Sequence, residues 1–201
     1  MAKIKKKYSI LIAGGTGFLG HHLACFFKKK GWSVTVISKQ KPKKKRYIKN
    51  VNYKKLDLTN FKKLKKIISN NYDYVINASG YVNHSLMKNG GNEVILNQLI
   101  STINLSRIFI NSRLKKFIQI GSSDEYGEAK APQEEKLREK SFSPYSYSKV
   151  AASHYLQMLH KSEKFPAIIV RIFLSYGPGQ DENRIIPQII KGCLNDDSFA
   201  T

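Results

Sequence analysis

Tyr145 and Lys149, one helical turn apart, are the pair of side chains best placed by spacing to do chemistry. A phenol with a reference pKa of about 10 is a poor base at neutral pH. An ammonium one turn along the helix favours its phenolate, so the pair reads as an acid–base centre. The same spacing recurs at Tyr126 and Lys130, and context separates the two. Gly127 and Pro132 surround the earlier pair and place it in a loop. Tyr145 follows Pro144 and opens an apolar-periodic segment containing Val150, Tyr155, Leu156 and Leu159. Upstream, Gly121-Ser122-Ser123 follows an apolar run ending at Ile120 and offers hydroxyls suited to a substrate oxygen.

A second constellation lies near the N-terminus. The run Ile10–Ala13 enters Gly14-Gly15-Thr16-Gly17-Phe18-Leu19-Gly20, and an amphipathic helix follows from about Phe18. A strand, a glycine turn and a helix N-terminus present unpaired N–H groups and a positive dipole end, which suits a pyrophosphate. The glycines fit two dinucleotide registers, Gly14-x-x-Gly17-x-x-Gly20 and Gly15-x-Gly17-x-x-Gly20. About 20 residues on, where a carboxylate would accept from the 2′-hydroxyl of NAD, the chain has Ser38-Lys39-Gln40-Lys41. Ser38 and Lys39 favour a 2′-phosphate instead, so NADP is expected over NAD. Asp57-Leu58 follows a third apolar run and Asn77-Ala78-Ser79-Gly80 a fourth, whose small residues leave room for a cofactor. Asp57-Leu58-Thr59-Asn60 also reads as a helix cap.

These residues need a scaffold. Expected strands are Ser9–Ala13, Ser33–Ile37, Val51–Leu56, Tyr74–Asn77, Phe117–Ile120 and Ala167–Phe173. Expected helices are Phe18–Lys30, Asn60–Ser69, Asn92–Ser112, Pro144–Lys161 and Ile185–Leu194. Val- and Ile-rich strands alternating with helices predict an α/β fold, a doubly wound parallel sheet covered on both faces. Ligands on such sheets bind beyond the carboxyl ends of the strands. The loop Gly127–Ser143, with Pro132 inside it and Pro144 just after it, is expected to be the most mobile segment.

The 201 residues carry 35 Lys and Arg against 14 Asp and Glu, a formal charge of +21. Such a field attracts anions. Most of the excess punctuates the solvent faces of helices, as at Lys62, Lys63, Lys65 and Lys66, while the densest cluster runs from Lys39 to Lys49. No apolar run approaches the roughly 20 residues of a membrane span. Cys25 and Cys193 have no metal-type spacing, no metal site is expected, and two lone cysteines suit a reducing cytoplasm. The N-terminal Met1–Lys7 lacks the apolar stretch of a signal peptide.

Six spaced motifs together define a resemblance: the glycine loop, Asp57-Leu58, Asn77-Ala78-Ser79-Gly80, Ser122, Tyr145-x-x-x-Lys149 and Arg171-Ile-Phe-Leu-Ser-Tyr-Gly-Pro178. In this order the chain resembles the extended short-chain dehydrogenase/reductases, and within them the NAD(P)-dependent epimerase/dehydratase family acting on nucleotide sugars. The resemblance covers essentially the whole chain and selects the register Gly14-x-x-Gly17-x-x-Gly20. It implies a Rossmann-like NAD(P)-binding domain over residues 1–180 and, over 181–201, the beginning of a small substrate domain. It implies that Gly14 to Gly20 hold the pyrophosphate, Ser38 and Lys39 the adenosine 2′ position, and Asp57-Leu58 the adenine. Ala78, Ser79 and Gly80 would border the ribose and nicotinamide, with Asn97 and Phe173 beside the cofactor. Tyr145 would exchange a proton with the sugar 4-hydroxyl, Lys149 would bind the nicotinamide ribose and lower the tyrosine pKa, and Ser122, with Ser123 near it, would bind the reacting oxygen.

Three departures from the family pattern shape the functional expectation. Dehydratases carry Thr-Asp-Glu before Val-Tyr-Gly, whereas this chain, aligned on Tyr126-Gly127, has Ser123 at the acid position and Asp124 at the base position. A one-residue slip would restore an Asp-Glu pair. Leu174 replaces the usual Asn near the substrate diphosphate. Family members usually continue for a further substrate domain, so the chain is expected to be a fragment with an incomplete sugar pocket. The expected activity is oxidoreduction of a nucleotide sugar at C4, as a 4-ketoreductase or 4-epimerase, with a homodimer as one assembly. The alternatives are a 4,6-dehydratase and a non-catalytic NADP- or nucleic-acid-binding module, nucleic acid being disfavoured as a partner.

Overall fold

The computed structural model describes residues 7–80 and 82–196. Residues 1–6 and the last five of the 181–201 segment lie outside the described residues. Six strands form one parallel sheet: β1 (Ser9–Ala13), β2 (Ser33–Ser38), β3 (Asn52–Lys55), β4 (Tyr74–Asn77), β5 (Lys116–Ile120) and β6 (Ala167–Val170). Their order is β3-β2-β1-β4-β5-β6. The chain therefore runs outward from β1 in one direction, then returns to β1 and runs outward in the other. β1 and β4 part at their carboxyl ends at this reversal, which is where a doubly wound sheet opens a crevice.

The helices are α1 (Phe18–Lys29), α2 (Phe61–Ile67), α3 (Gly91–Arg107), α4 (Pro144–Glu163) and α5 (Ile185–Asn195). β1 is buried on both faces, as a central strand must be, with Ile10, Leu11, Ile12 and Ala13 fully inaccessible. Leu11, Leu64, Leu105, Phe117 and Leu156 belong to one apolar cluster, and Ile10, Ile12, Ala24, Val34 and Val36 to the other. Helix α4 begins at Pro144 because Ser143 caps it: the Ser143 hydroxyl accepts from Ser146 N at 3.1 Å. That start places Tyr145 and Lys149 on its first turns.

Two expected elements end well short of their expected bounds, the first being α3, which stops at Arg107 rather than Ser112. β6 stops at Val170 rather than Phe173, although Gly121 N and Ser123 N still donate to Val170 O and Ile172 O. The strand gives way there because its outer edge has no further strand and the chain must follow the turn after β5. The loop 127–143 is tied to β6: Arg171 Nη2 donates to Glu139 Oε1 at 2.6 Å. α5 carries Ile185, Ile190 and Leu194 on exposed positions.

The glycine turn is shaped by close approach. Gly14 has φ +76°, and a Cβ there would lie 2.4 Å from Ala78 O. Gly20 packs α1 onto the turn, where a Cβ would lie 2.3 Å from Gly14 O and 2.7 Å from Gly15 Cα. Both obstacles are backbone and cannot rotate away. Gly20→Ala is expected to cost about 1–3 kcal/mol and to lower Tm by about 5 °C. An unchanged Tm in a thermal melt would contradict this packing.

Candidate active site

The carboxyl ends of β1, β2 and β4 enclose a cleft of about 550 Å3. Of the residues expected to hold a cofactor, Gly14, Thr16, Gly17, Ser38, Lys39, Leu58, Ala78, Ser79, Gly80 and Asn97 line it. Gly15 is buried against Val36, and Gly20 lies beneath the turn, so both shape the loop from behind. Phe18 and Leu19 open α1, and the Phe18 ring packs edge-on against His22 at 5.2 Å. Asp57 borders the cleft, holding Thr59 N and Oγ1 at 2.9 and 2.8 Å. Asn60, not Asp57, caps α2. Burial works to raise the Asp57 carboxyl, but the Thr59 hydrogen bonds and the Lys39 ammonium outweigh it and hold it below its ordinary value.

The floor of the cleft is set by a buried polar network. Asn77 Nδ2 donates to Gln119 Oε1 at 2.9 Å and to Thr102 Oγ1 at 3.2 Å, while Asn77 Oδ1 accepts from Ser79 N at 3.2 Å. This fixes Ser79 at the end of β4. Nearby, Gln98 Nε2 lines the cleft buried and without a hydrogen-bond partner among the described residues. An orphaned buried donor beside a glycine turn stripped of side chains is a cradle that a polar ligand would complete.

Across the mouth, Lys39 Nζ lies 3.3 Å from both Asp57 Oδ2 and Asn97 Oδ1. Arg46, from the basic cluster, donates from Nη1 to Thr16 O at 3.2 Å and from Nη2 to Gly179 O at 2.6 Å. Sequence reasoning marked that cluster but not Arg46; an arginine among lysines, with its bidentate geometry, was the available signal.

Ser122, Tyr145 and Lys149 meet at the ends of β5 and α4. All three are buried, with Tyr145 5% exposed. Ser122 hydrogen-bonds Tyr145, and Lys149 Nζ donates to Ile120 O at 3.2 Å, 5.6 Å from the Tyr145 ring centroid. Burial pushes the Tyr145 phenol up; the Asp124 and Glu125 carboxylates add to this, and the Ser122 hydrogen bond offsets it only in part. Lys149 keeps its ammonium beside the phenol, 5.6 Å from the ring, while donating to a backbone carbonyl. Burial lowers Lys149 itself to about 8, against the opposing pull of Glu125 and Asp124.

The turn 123–125 is held by a clasp that the sequence did not reveal. Glu125 is fully buried and accepts from Ser122 N at 3.0 Å, Ser153 Oγ at 2.8 Å and Arg171 Nε at 3.0 Å. Arg171 also lies over the Tyr126 ring, 4.7 Å from its centroid. Every Glu125 oxygen is thus committed to structure, and the slipped Asp-Glu alignment has no free glutamate. Ser123 occupies the turn, and Asp124 faces His84, another residue not foreseen, at 3.9 Å. Phe173, 61% exposed, stacks near Tyr126 instead of lining the cleft, and Leu174 is 95% exposed.

A doubly wound parallel sheet with this Ser–Tyr–Lys grouping is the architecture of the extended short-chain dehydrogenase/reductases. The chain belongs to the NAD dependent epimerase/dehydratase family, which matches residues 10–200. A curated relative, dTDP-D-glucose 4,6-dehydratase of Dictyostelium discoideum, is 32% identical over 93% of this chain and 48% of its own length. The solved UDP-N-acetylglucosamine 4-epimerase of Methanobrevibacter ruminantium superimposes with a TM-score of 0.86 at 28% identity, covering 96% of this chain and 65% of that one. The UDP-glucuronic acid 4-epimerase of Bacillus cereus, solved with UDP-glucuronic acid and NAD, gives 0.79 at 25% identity over 94% and 64%. The chain thus spans about half the length of the curated relative. No helix among the described residues is long and apolar enough to cross a membrane.

Breaking the clasp should cost far more than removing it. Glu125→Gln or Arg171→Met alone is expected to lose about 3 kcal/mol in denaturant titration, and a Glu125→Leu/Arg171→Met pair less than their sum. Strict additivity would contradict a coupled buried pair. For Lys149, the folded pKa of about 8 lies below the unfolded value, so between these values the unfolded chain binds more protons. Stability contributed at this site therefore rises with pH from about 8 to about 10.5 by an amount on the order of 3 kcal/mol. Lys149→Met should lose that rise; an identical pH–stability curve would contradict the buried charge.

Proposed function

We propose that the protein is a nucleotide-sugar oxidoreductase acting at sugar C4 with NAD(P), as a 4-ketoreductase or 4-epimerase. The observation that carries this reading is the commitment of Glu125 to Ser122, Ser153 and Arg171 beside a free Ser122–Tyr145–Lys149 group. Proton transfer at C4 has its residues here, while elimination of water lacks its usual acid, Ser123 standing in that position.

Bound NAD(P) supplies the hydride chemistry. Gly14 to Gly20 receive its pyrophosphate through backbone N–H groups and the α1 dipole. Leu58 and Asp57 border the adenine; Ala78, Ser79, Gly80 and Asn97 line the remainder. Ser122 orients the reacting oxygen, and Tyr145 holds the proton that moves. A phenol held protonated by burial suits donation to a carbonyl oxygen. Lys149, buried beside Tyr145, supplies positive charge as proton density leaves the phenol. The substrate class comes from the relatives, which are named for UDP- and dTDP-sugars. Residues 1–180 form the cofactor domain in this reading, and α5 begins the substrate domain.

NADP is the preferred cofactor in this proposal. Ser38, Lys39 and Arg46 bring hydroxyl and cationic groups to the outer end of the cleft, where the adenosine 2′-phosphate belongs. A second reading, 4,6-dehydration, is favoured by the Dictyostelium relative and by the Asp124 carboxylate near Tyr145. A non-catalytic nucleic-acid module draws support from the +21 charge alone and predicts salt-sensitive binding without cofactor affinity.

Nucleotide sugars and 4-keto nucleotide sugars incubated with NADH and NADPH, read by mass spectrometry, test the reading. Cofactor consumption marks a reductase, and isomerisation without consumption an epimerase; a product lighter by one water would contradict both. Tyr145→Phe is expected to reduce kcat by about 100-fold or more while cofactor affinity stays unchanged. Lys39→Glu should weaken NADPH binding about tenfold with a smaller effect on NADH, measured by fluorescence titration. Equal effects on the two cofactors would remove Lys39 from the specificity argument.

A further inference from the structure

His84 stands where nothing in the glycine loop or the Ser122–Tyr145–Lys149 group requires an imidazole. Its ring packs edge-on against Tyr145, centroids 5.2 Å apart, and its Nδ1 lies 3.9 Å from Asp124 Oδ2. Asn83 Oδ1 accepts from Ser85 N at 2.9 Å and Ser85 Oγ at 2.6 Å, which folds the backbone around His84. The imidazole is 52% exposed, whereas Tyr145 is 5% exposed. On the inner side, Lys149 is buried and donates to Ile120 O. Tyr145 is thus flanked by the buried Lys149 on one side and by the half-exposed His84 ring on the other.

We propose that His84, steadied by Asp124, is the proton relay that exchanges the Tyr145 proton with solvent between turnovers. This rests on the C4 oxidoreductase reading and adds a residue to it. When the nicotinamide hydride reduces a C4 carbonyl, the Tyr145 O–H bond breaks, the sugar O–H bond forms, and a phenolate remains. An N–H bond of the His84 imidazolium then breaks, the Tyr145 O–H bond re-forms, and the neutral imidazole takes a proton from solvent. At this ring spacing one water or a sugar hydroxyl completes the path. In the oxidative direction the same protons run backwards. The charged and titratable groups that face this path are Asp124 and Glu125 on the turn after β5, Tyr145 and Lys149 on α4, and Arg184 before α5, whose charge reaches Tyr145.

The test uses His84→Ala, His84→Asn and the wild-type chain, with NADPH and a 4-keto nucleotide sugar, or NADP+ and UDP-glucose, as probes. Both variants are expected to lose about tenfold or more in kcat with KM within about twofold. Added imidazole should restore His84→Ala. Wild-type kcat in both variants, or a loss that imidazole does not restore, overturns the relay while leaving C4 chemistry standing. Absence of hydride transfer by the wild-type protein overturns the C4 reading and the relay together.

Discussion

The buried carboxylate of Glu125 is the constraint on which the site depends. It joins Ser122 N, Ser153 on α4 and Arg171 after β6, so one side chain fastens the turn after β5 to the helix and strand that flank it. A fully buried carboxylate left with an open valence would be costly, and here each oxygen is used. With the turn so fixed, Ser122 meets Tyr145 and Lys149 reaches Ile120 O. The same clasp removes Glu125 from chemistry.

Electrostatics at the two ends of the site differ in kind. At the outer end, cations govern: the exposed Lys39 and the half-buried Arg46 gather around the glycine loop in a strongly basic chain. Their attraction for phosphate is long-ranged and weakened by salt. At the inner end, desolvation governs, raising Tyr145 and lowering Lys149. Both shifts favour the neutral forms of groups that have been removed from water. The proton that moves is therefore stored on the phenol in the resting protein.

Much of this was legible in the sequence, for identifiable reasons. Strand β1, α1 and the glycine turn between them were marked by an unbroken apolar run and by glycines whose absent Cβ atoms the packing requires. Tyr145 and Lys149 were separated from Tyr126 and Lys130 by Pro144, which does open α4. What escaped depends on contacts far apart in the chain. Arg46 reaches Gly179, Arg171 reaches Glu125, and His84 reaches Tyr145, none at a spacing that periodicity can report. Lys149 was expected from helical spacing and from the family resemblance to favour the phenolate; its hydrogen bond to Ile120 O is a contact that spacing does not report. Phe173, expected beside the cofactor by resemblance, lies past the end of β6 and stacks near Tyr126.

The central claim is hydride transfer at C4 without loss of water. Incubating the chain with a nucleotide-4-keto sugar and NADPH deuterated at nicotinamide C4, then locating the label by NMR, tests it most directly. The account predicts deuterium at sugar C4 in a product that retains every oxygen of the substrate. Deuterium at C6, or label absent from the sugar while a 4-hydroxy substrate loses water, would contradict it.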